Sequence, residues 1–393
     1  MRVLRITPLW DWRALDPPPM LRHPEESMGG HAAQALRTTL ATAVAGVEQL
    51  VLAPRTPGAP RDAVVALGAR VRGVGPAGVP GVHRRNTAWL AGVVVALPGE
   101  RRAGWDLVHV HASGIVEPLW AALAARSVLR VPLVLTLHHS AQATYVAHSR
   151  RDAAVQVVTR AAERAAVRRA ARTLTLTSRL ARRLDGDGAT EAVPDGVDVP
   201  GFAREAHERA GAALRARLGI PEDAPLALYA GRISREKGWP DAVALADGIE
   251  GLHVLLAGDG PEMDELRACR SERVHVAGAV EHDEVAAAMA TASVLVLPSQ
   301  FEELGSVLVE AMAAGLPSVA YDVGGVAEAV VPGTTGTLVP AGDLPALIAA
   351  VAETLADDTL RTQARTEGPR IATERFDQAA IGRRLAALYA ELA

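Results

Sequence analysis

The chain of 393 residues carries 41 basic and 45 acidic side chains, a formal net charge of −4, 49% hydrophobic residues and one cysteine, Cys269. This is ordinary globular composition for about two domains, which excludes a disordered or fibrous chain. The balance of charge offers no broad cationic field for nucleic acid, a lone cysteine closes no intramolecular disulfide, and no Cys pair or HExxH spacing marks a metal centre.

The start, Met1 to Thr7 (MRVLRIT), reads as an alternating strand at 2–7. A secretory leader would show a basic start and an apolar run of about 7 to 15 residues, so a cytoplasmic location is expected. Further strands are read at 48–53, 106–111, 132–138 and 173–177, with helices at about 30–45, 84–97, 117–129 and 153–171. The longest apolar run, Ala88 to Leu97, stops at Pro98-Gly99. It falls short of the roughly 20 residues that span a bilayer, and no transmembrane segment is expected.

Turn residues collect at Pro194-Asp195-Gly196-Val197-Asp198-Val199-Pro200, and a linker is placed at 194–222. A second series follows, with strands near 225–230, 252–257, 273–277, 293–297, 317–320 and 336–339. Its helices fall near 238–248, 261–269, 282–291, 305–314, 324–330 and 343–356. The alternation predicts an α/β protein of two doubly wound, Rossmann-like domains, 1–200 and 201–376. An amphipathic helix in 377–393 closes the chain and can pack on either domain, the first included.

In the first domain a long loop runs from strand one to Ser27-Met28-Gly29-Gly30-His31, a glycine pair at a helix start. Loops of that length in compact domains are functional or mobile. His111 ends one strand and His138 another, His139 being the alternative if that strand runs one residue further. Alternation puts His109 on the face of His111, but only His111 is expected at the carboxyl end, facing a cleft. Each of these histidines can equally be structural.

Lys237 is the sole lysine among the 41 basic residues, which marks it as a position needing a compact ammonium. It follows Gly231-Arg232 in Tyr-Ala-Gly-Arg-Ile-Ser-Arg-Glu-Lys-Gly-Trp, after a strand. Ligands of open α/β sheets bind beyond the carboxyl ends of strands, so Arg232 and Lys237 sit where a phosphate would be held; a solvated turn is the plain alternative. Gly258-Asp259-Gly260-Pro261 is a glycine turn opening a helix, and Gly278 to Val280 is a weaker one. The sharpest pattern is Pro298-Ser299-Gln300-Phe301-Glu302-Glu303-Leu304-Gly305-Ser306-Val307-Leu308-Val309-Glu310. A helix starting near Gly305 would offer free N–H groups and a positive dipole end to an anion. Ser306 and Glu310 share one face, with Glu302 before the helix. Carboxylates beside a phosphate serve hydroxyls, with Arg232 and Lys237 balancing their charge.

These elements, in the order GR…KG, GDGP, Glu-x7-Glu, Gly315-Leu316-Pro317-Ser318-Val319-Ala320 and Gly324-Gly325, resemble the retaining GT-B glycosyltransferases of family 4, of the glycogen and sucrose synthase type. The resemblance covers nearly the whole chain and implies two domains facing across a cleft. It implies a nucleotide-sugar cosubstrate, a small-molecule acceptor, no nucleic-acid partner and no required cofactor or metal. Catalytic roles are implied for Arg232, Lys237, Glu302 and His138, the first two holding the diphosphate and Glu302 the donor sugar. Donor binding is implied for Gly29, Gly30, Gly258, Gly260, Val280, Leu304, Gly305, Ser306, Val307 and Glu310, with Glu310 on the ribose. Asp11, His111 and His138 would meet the acceptor. Glu303 and Leu304 stand where the family usually has Gly and Phe, and Asp195 where it has Asn.

The segments MRVLRITPLW, Gly46 to Leu52 and Pro57 to Arg61 look like the enzymes that add N-acetylglucosamine or glucose to 2-deoxystreptamine in aminoglycoside assembly. Transfer from UDP-GlcNAc to 2-deoxystreptamine is therefore expected. An inositol phosphate, lipid or polysaccharide acceptor, or a non-catalytic sugar-nucleotide binder, are the other readings. Asp11, Asp16, Glu25 and Glu26 could favour a cationic aminocyclitol, but Arg13 and Arg22 lie among them. Oligomeric state is not encoded in any motif.

Overall fold

The computed structural model describes residues 1–12, 15, 30–143, 150–184, 189–269 and 271–393. The chain divides into two compact units, one formed by Met1–Gly196 with Gln378–Ala393 and the other by Val197–Asp377. Among the described residues, no helix is long and apolar enough to cross a membrane.

In the first unit the strands are β1 (Arg2–Ile6), β2 (Glu48–Pro54), β3 (Asp62–Ala66), β4 (Ala69–Val74), β5 (Leu107–Ser113), β6 (Leu133–His139), β7 (Arg172–Thr175) and β8 (Thr190–Ala192). They form one sheet in the order β3-β4-β2-β1-β5-β6-β7-β8. Among the described residues only the β3–β4 pair is antiparallel. The helices are α1 (Gly30–Val44), α2 (Val82–Arg101), α3 (Val116–Leu129), α4 (Arg150–Arg169) and α5 (Ser178–Leu184). The central strands are buried on both faces, as a sheet covered by helices requires, and this is why they read as continuous apolar runs.

The closing helix, α13 (Gln378–Leu392), belongs to this unit and packs Leu385, Leu388 and Tyr389 against Val3, Leu107 and Val134. Gly382 lets it lie directly on α1, since a Cβ there would come within 2.5 Å of the Ala41 carbonyl oxygen.

In the second unit the strands are β9 (Leu226–Ala230), β10 (His253–Ala257), β11 (Val274–Gly278), β12 (Val294–Leu297), β13 (Ser318–Tyr321) and β14 (Gly336–Val339). They form a wholly parallel sheet in the order β11-β10-β9-β12-β13-β14. The helices are α6 (Arg204–Leu218), α7 (Trp239–Gly248), α8 (Met263–Ala268), α9 (His282–Thr291), α10 (Ser306–Ala313), α11 (Leu344–Ala356) and α12 (Asp358–Phe376). Chain order reverses between β9 and β12, so the crevice that open α/β sheets use for ligands opens beyond the carboxyl ends of these two strands.

Two expectations are corrected. The stretch 194–222 is no plain linker, because it holds α6, which buries Gly211 and Leu214. A Cβ at Gly211 would lie 2.7 Å from the Ala287 carbonyl oxygen, so α6 and α9 approach backbone to backbone there. The helix expected at 324–330 is only a single 3₁₀ turn, Val326–Glu328, where Gly324 takes a positive φ of 54°.

Candidate active site

In the second unit, β9 ends at Ala230 and delivers Gly231-Arg232 to the switch point. The loop after β10 closes against it. A Cβ at Gly258 would lie 1.9 Å from the Gly231 carbonyl oxygen, and one at Gly260 2.2 Å from that of Ile233. Ile233 N–H donates to the Asp259 carbonyl at 3.0 Å. Close loop-to-loop packing therefore demands both glycines, whatever else approaches them. Tyr229 donates its hydroxyl to the Arg232 carbonyl at 2.7 Å, which fixes the turn, while the Arg232 residue stays exposed.

Lys237 ends a short 3₁₀ turn, Arg235–Lys237, and Gly238 follows with a positive φ of 74°. A Cβ at Gly238 would come within 1.9 Å of the Pro298 carbonyl oxygen, so the turn lies directly on the loop after β12. Gln300 N–H donates to the Glu236 carbonyl at 2.8 Å across the same seam. The seam brings Lys237 Nζ to 2.7 Å from Glu302 Oε1, and Ser299 Oγ donates to the same oxygen at 2.9 Å. The charge balance expected between Lys237 and the carboxylates is thus a direct ion pair with Glu302, 65 residues apart and joined only by the switch-point geometry. From the other side Gly324 lies so close to the Glu302 backbone that a Cβ would overlap its carbonyl oxygen, at 1.6 Å.

The helix α10 starts at Ser306, after Gly305 with a φ of 74° and no side-chain cap. Its first turn holds no acidic residue, which leaves the positive dipole end unopposed from within the helix. Leu304 is buried, Ser306 and Val307 are half-buried, and Glu310 is buried one turn in, at 9% exposure. Val280, half-buried, precedes α9. The arrangement can hold an anion at the mouth of α10 between Arg232 and Lys237, with carboxylates set for hydroxyl groups.

In the first unit Gly30 opens α1, and Gly29 lies outside the described residues, as do Asp16, Glu25 and Glu26. Asp11 is half-buried in the loop after β1, beside Trp12, which donates its indole N–H to the Pro54 carbonyl at 3.2 Å. The strand β6 runs to His139, one residue beyond expectation, and His138 is 3% exposed.

His111, expected to face a cleft, is instead 1% exposed with both ring nitrogens engaged. Arg5 Nη1 lies 2.8 Å from His111 Nε2, and His111 Nδ1 lies 3.0 Å from His138 Nε2. The reason is the buried Arg5 on the neighbouring strand β1, which holds one ring nitrogen while His138 holds the other.

Burial, then the neighbouring rings and Arg5, holds His111 well below the ordinary histidine range. His138 is lowered by burial first and then by His31, His139 and His109. Burial, with His139 behind it, lowers His31 to about 3. All three are neutral imidazoles at physiological pH.

His31, His111 and His138 place ring nitrogens within 4.8 Å of one another, the spacing of a metal-binding trio. The donor set does not fit a metal. A guanidinium only donates, so His111 Nε2 must accept, its proton then sits on Nδ1, and no lone pair of His111 is left for a cation. No carboxylate belongs to the trio to offset a dication beside Arg5. Sequence reading gave no role to Arg5, His31, Ser299 or Tyr389: Arg5 lies inside a strand, where a polar residue on a buried face is the one signal, whereas His31 and Tyr389 lie on helices and Ser299 in a loop, where strand alternation says nothing.

Comparison with known proteins agrees with the architecture. Residues 28–199 match the family described as Glycosyltransferase Family 4, and residues 212–370 match Glycosyl transferases group 1. A 2-deoxystreptamine N-acetyl-D-glucosaminyltransferase of Streptomyces fradiae is 40% identical over 91% of this chain and 89% of its own. A 2-deoxystreptamine glucosyltransferase of Streptomyces kanamyceticus is 37% identical over 82% and 89%. Among solved structures, sucrose-phosphate synthase from Thermosynechococcus elongatus superposes with a TM-score of 0.84 at 25% identity, covering 100% of this chain and 99% of that one. The two Rossmann-like units, the switch-point site and these similarities place the chain in the GT-B glycosyltransferases built of a family 4 and a group 1 domain, to which it belongs.

Proposed function

We propose that this glycosyltransferase moves N-acetylglucosamine, or glucose, from a uridine diphosphate sugar to 2-deoxystreptamine with retention of anomeric configuration, and needs no metal. The observation that carries the acceptor is the extended identity with the Streptomyces fradiae enzyme, which spans both units. The donor reading rests on the switch-point site, where Arg232, Lys237 and the start of α10 suit a diphosphate, and Glu310 suits ribose hydroxyls.

The chemistry follows from charge. The bond between the anomeric carbon and the diphosphate oxygen breaks, the acceptor oxygen bonds to that carbon from the same face, and the acceptor proton passes to the departing diphosphate. Negative charge grows on the diphosphate, so donors already aimed at it stabilise the transition state more than the ground state. In the free protein Lys237 is held by Glu302. On donor binding Lys237 turns to the diphosphate and Glu302 to the sugar hydroxyls, a trade of one anion for another that costs little electrostatically.

The test is a donor and acceptor panel: UDP-, GDP-, ADP- and dTDP-sugars in a thermal-shift screen, followed by mass analysis of product with 2-deoxystreptamine. A donor that binds only the folded chain raises its melting temperature by mass action. UDP-N-acetylglucosamine should shift it and should yield the monoglycosylated aminocyclitol. Transfer to inositol phosphate or a lipid with none to the amine would overturn the acceptor assignment.

A further inference from the structure

Arg5 sits in β1 with no exposure, and among the described residues its partners are all neutral. Nε and Nη2 donate to Gln49 Oε1 at 3.1 and 2.9 Å, and Nη2 also reaches the Tyr389 hydroxyl at 3.2 Å. Nη1 lies 2.9 Å from His109 Nδ1 and 2.8 Å from His111 Nε2. A guanidinium has five N–H donors and no acceptor, so both imidazole nitrogens must receive.

Each neutral imidazole then carries its proton on the other nitrogen. His109 Nε2–H donates to Thr136 Oγ1 at 2.7 Å. His111 Nδ1–H donates to His138 Nε2 at 3.0 Å, so the His138 proton sits on Nδ1.

We propose that Arg5 is a positioning residue which, through His111, fixes His138 as the Nδ1–H tautomer, so that His138 offers substrate a hydrogen-bond donor and not a base. This rests on the transferase reading for its consequence, though not for the tautomer itself. The ring of His31 lies stacked on His138, centroids 3.8 Å apart and planes 24° apart, so the His138 ring is packed in the orientation that turns Nε2 to His111. A proton on His138 Nε2 would meet the His111 N–H head on, donor to donor. With Nε2 taken by the His111 N–H, His138 keeps no free basic nitrogen for the acceptor hydroxyl, which accords with the proposed passage of that proton to the leaving diphosphate, and its Nδ1–H is left as the donor.

The test is two-bond ¹H–¹⁵N correlation of the histidine rings in the full-length protein at about pH 7.5, where unperturbed histidine is mostly neutral. The expected spectrum shows His138 and His111 protonated at Nδ1 and His109 at Nε2. Arg5→Lys keeps a donor-only cation and should keep the pattern. Arg5→Met should release His111 and His138 to Nε2–H and lower kcat about 10-fold, with KM for the donor nearly unchanged, as expected for one misdirected hydrogen bond.

Should Arg5→Met fail to fold, His111→Leu breaks the same relay with Arg5 in place and should give the same change at His138. An Nε2–H signal for His138 in the unaltered protein, or an Nδ1–H signal that survives His111→Leu, would overturn the proposal. Absence of transfer from every donor would sink the transferase reading alone, since the ring spectra need no substrate.

Discussion

Replacing Lys237 by Met separates a structural ion pair from a catalytic cation. The ammonium lies 2.7 Å from Glu302, and the two side chains are 28% and 14% exposed. Exposed pairs contribute about 0–1 kcal/mol, whereas removing one partner of a buried pair costs about 3–5 kcal/mol. This pair lies between the two limits, and Ser299 still donates to Glu302 when the ammonium is gone. A loss of about 1–2 kcal/mol is expected, or roughly 2–8 °C in the melting of the second unit. The kinetic loss should exceed that, at about 10²-fold or more in kcat, because the cation faces growing charge on the leaving group. Lys237→Met combined with Glu302→Gln removes both charges, so stability should return to within about 0.5 kcal/mol of the unaltered chain. Turnover should not return with it. Scanning calorimetry beside initial rates reads both; a double variant that regains kcat together with its stability would show that Lys237 serves only as a counter-ion to Glu302.

Glu310→Gln should weaken binding of free UDP in titration calorimetry, while Glu302→Gln should spare UDP and weaken the UDP-sugar; equal losses for both ligands would contradict the division of roles. Asp11→Asn should raise KM for 2-deoxystreptamine and leave the donor KM unchanged, and the rise in acceptor KM with added salt should be smaller in the variant than in the unaltered chain, since salt screens charge pairs over about 8–10 Å. Burial lowers the pKa of His31, His109, His111 and His138 in the fold, so they are neutral there but bind protons in the unfolded chain below about pH 6.5. Their contribution is complete above that value and is lost as pH falls towards the folded values, about 3 for His31. Denaturant unfolding of the first unit should accordingly take up more than one proton between pH 6 and 5, and a flat stability across that interval would contradict the buried neutral cluster.

The parallel strands were legible because strands covered on both faces read as apolar runs, as in LALYA of β9 and VLVL of β12. The edge hairpin β3–β4 escaped, since β3 is half exposed along its length and lacks such a run. Helix α6 escaped because REAHERAGAALRARL reads as polar, its buried face resting on Gly211, Leu214 and Arg215. Arg215 is buried by donating to the carbonyls of Pro221, Glu222, Ala224 and Thr291, a use of arginine that no local pattern announces.

At the site, Arg232, Lys237, Glu302 and Glu310 were legible as candidates because loops after strands of such sheets carry ligands. Their pairing was not, because the backbone seam between Gly238 and Pro298 is a tertiary contact. The same holds for the histidine relay, which joins Arg5 to Tyr389 across 384 positions. Only His111 and His138 were visible, singly, as strand-end histidines, and nothing local in the sequence ties either to Arg5, which lies on the neighbouring strand.

The anomeric configuration of the product decides most directly whether the chain performs retaining transfer. UDP-N-acetylglucosamine carries an α-linked sugar, and transfer by the same-face route places the acceptor where the diphosphate left. Proton NMR of the product formed with 2-deoxystreptamine should therefore show the small H1–H2 coupling of an α-glycoside, equal in kind to that of the donor. A β-linked product, with the large coupling of two axial protons, would contradict retention and the assignment of the acceptor proton to the leaving diphosphate.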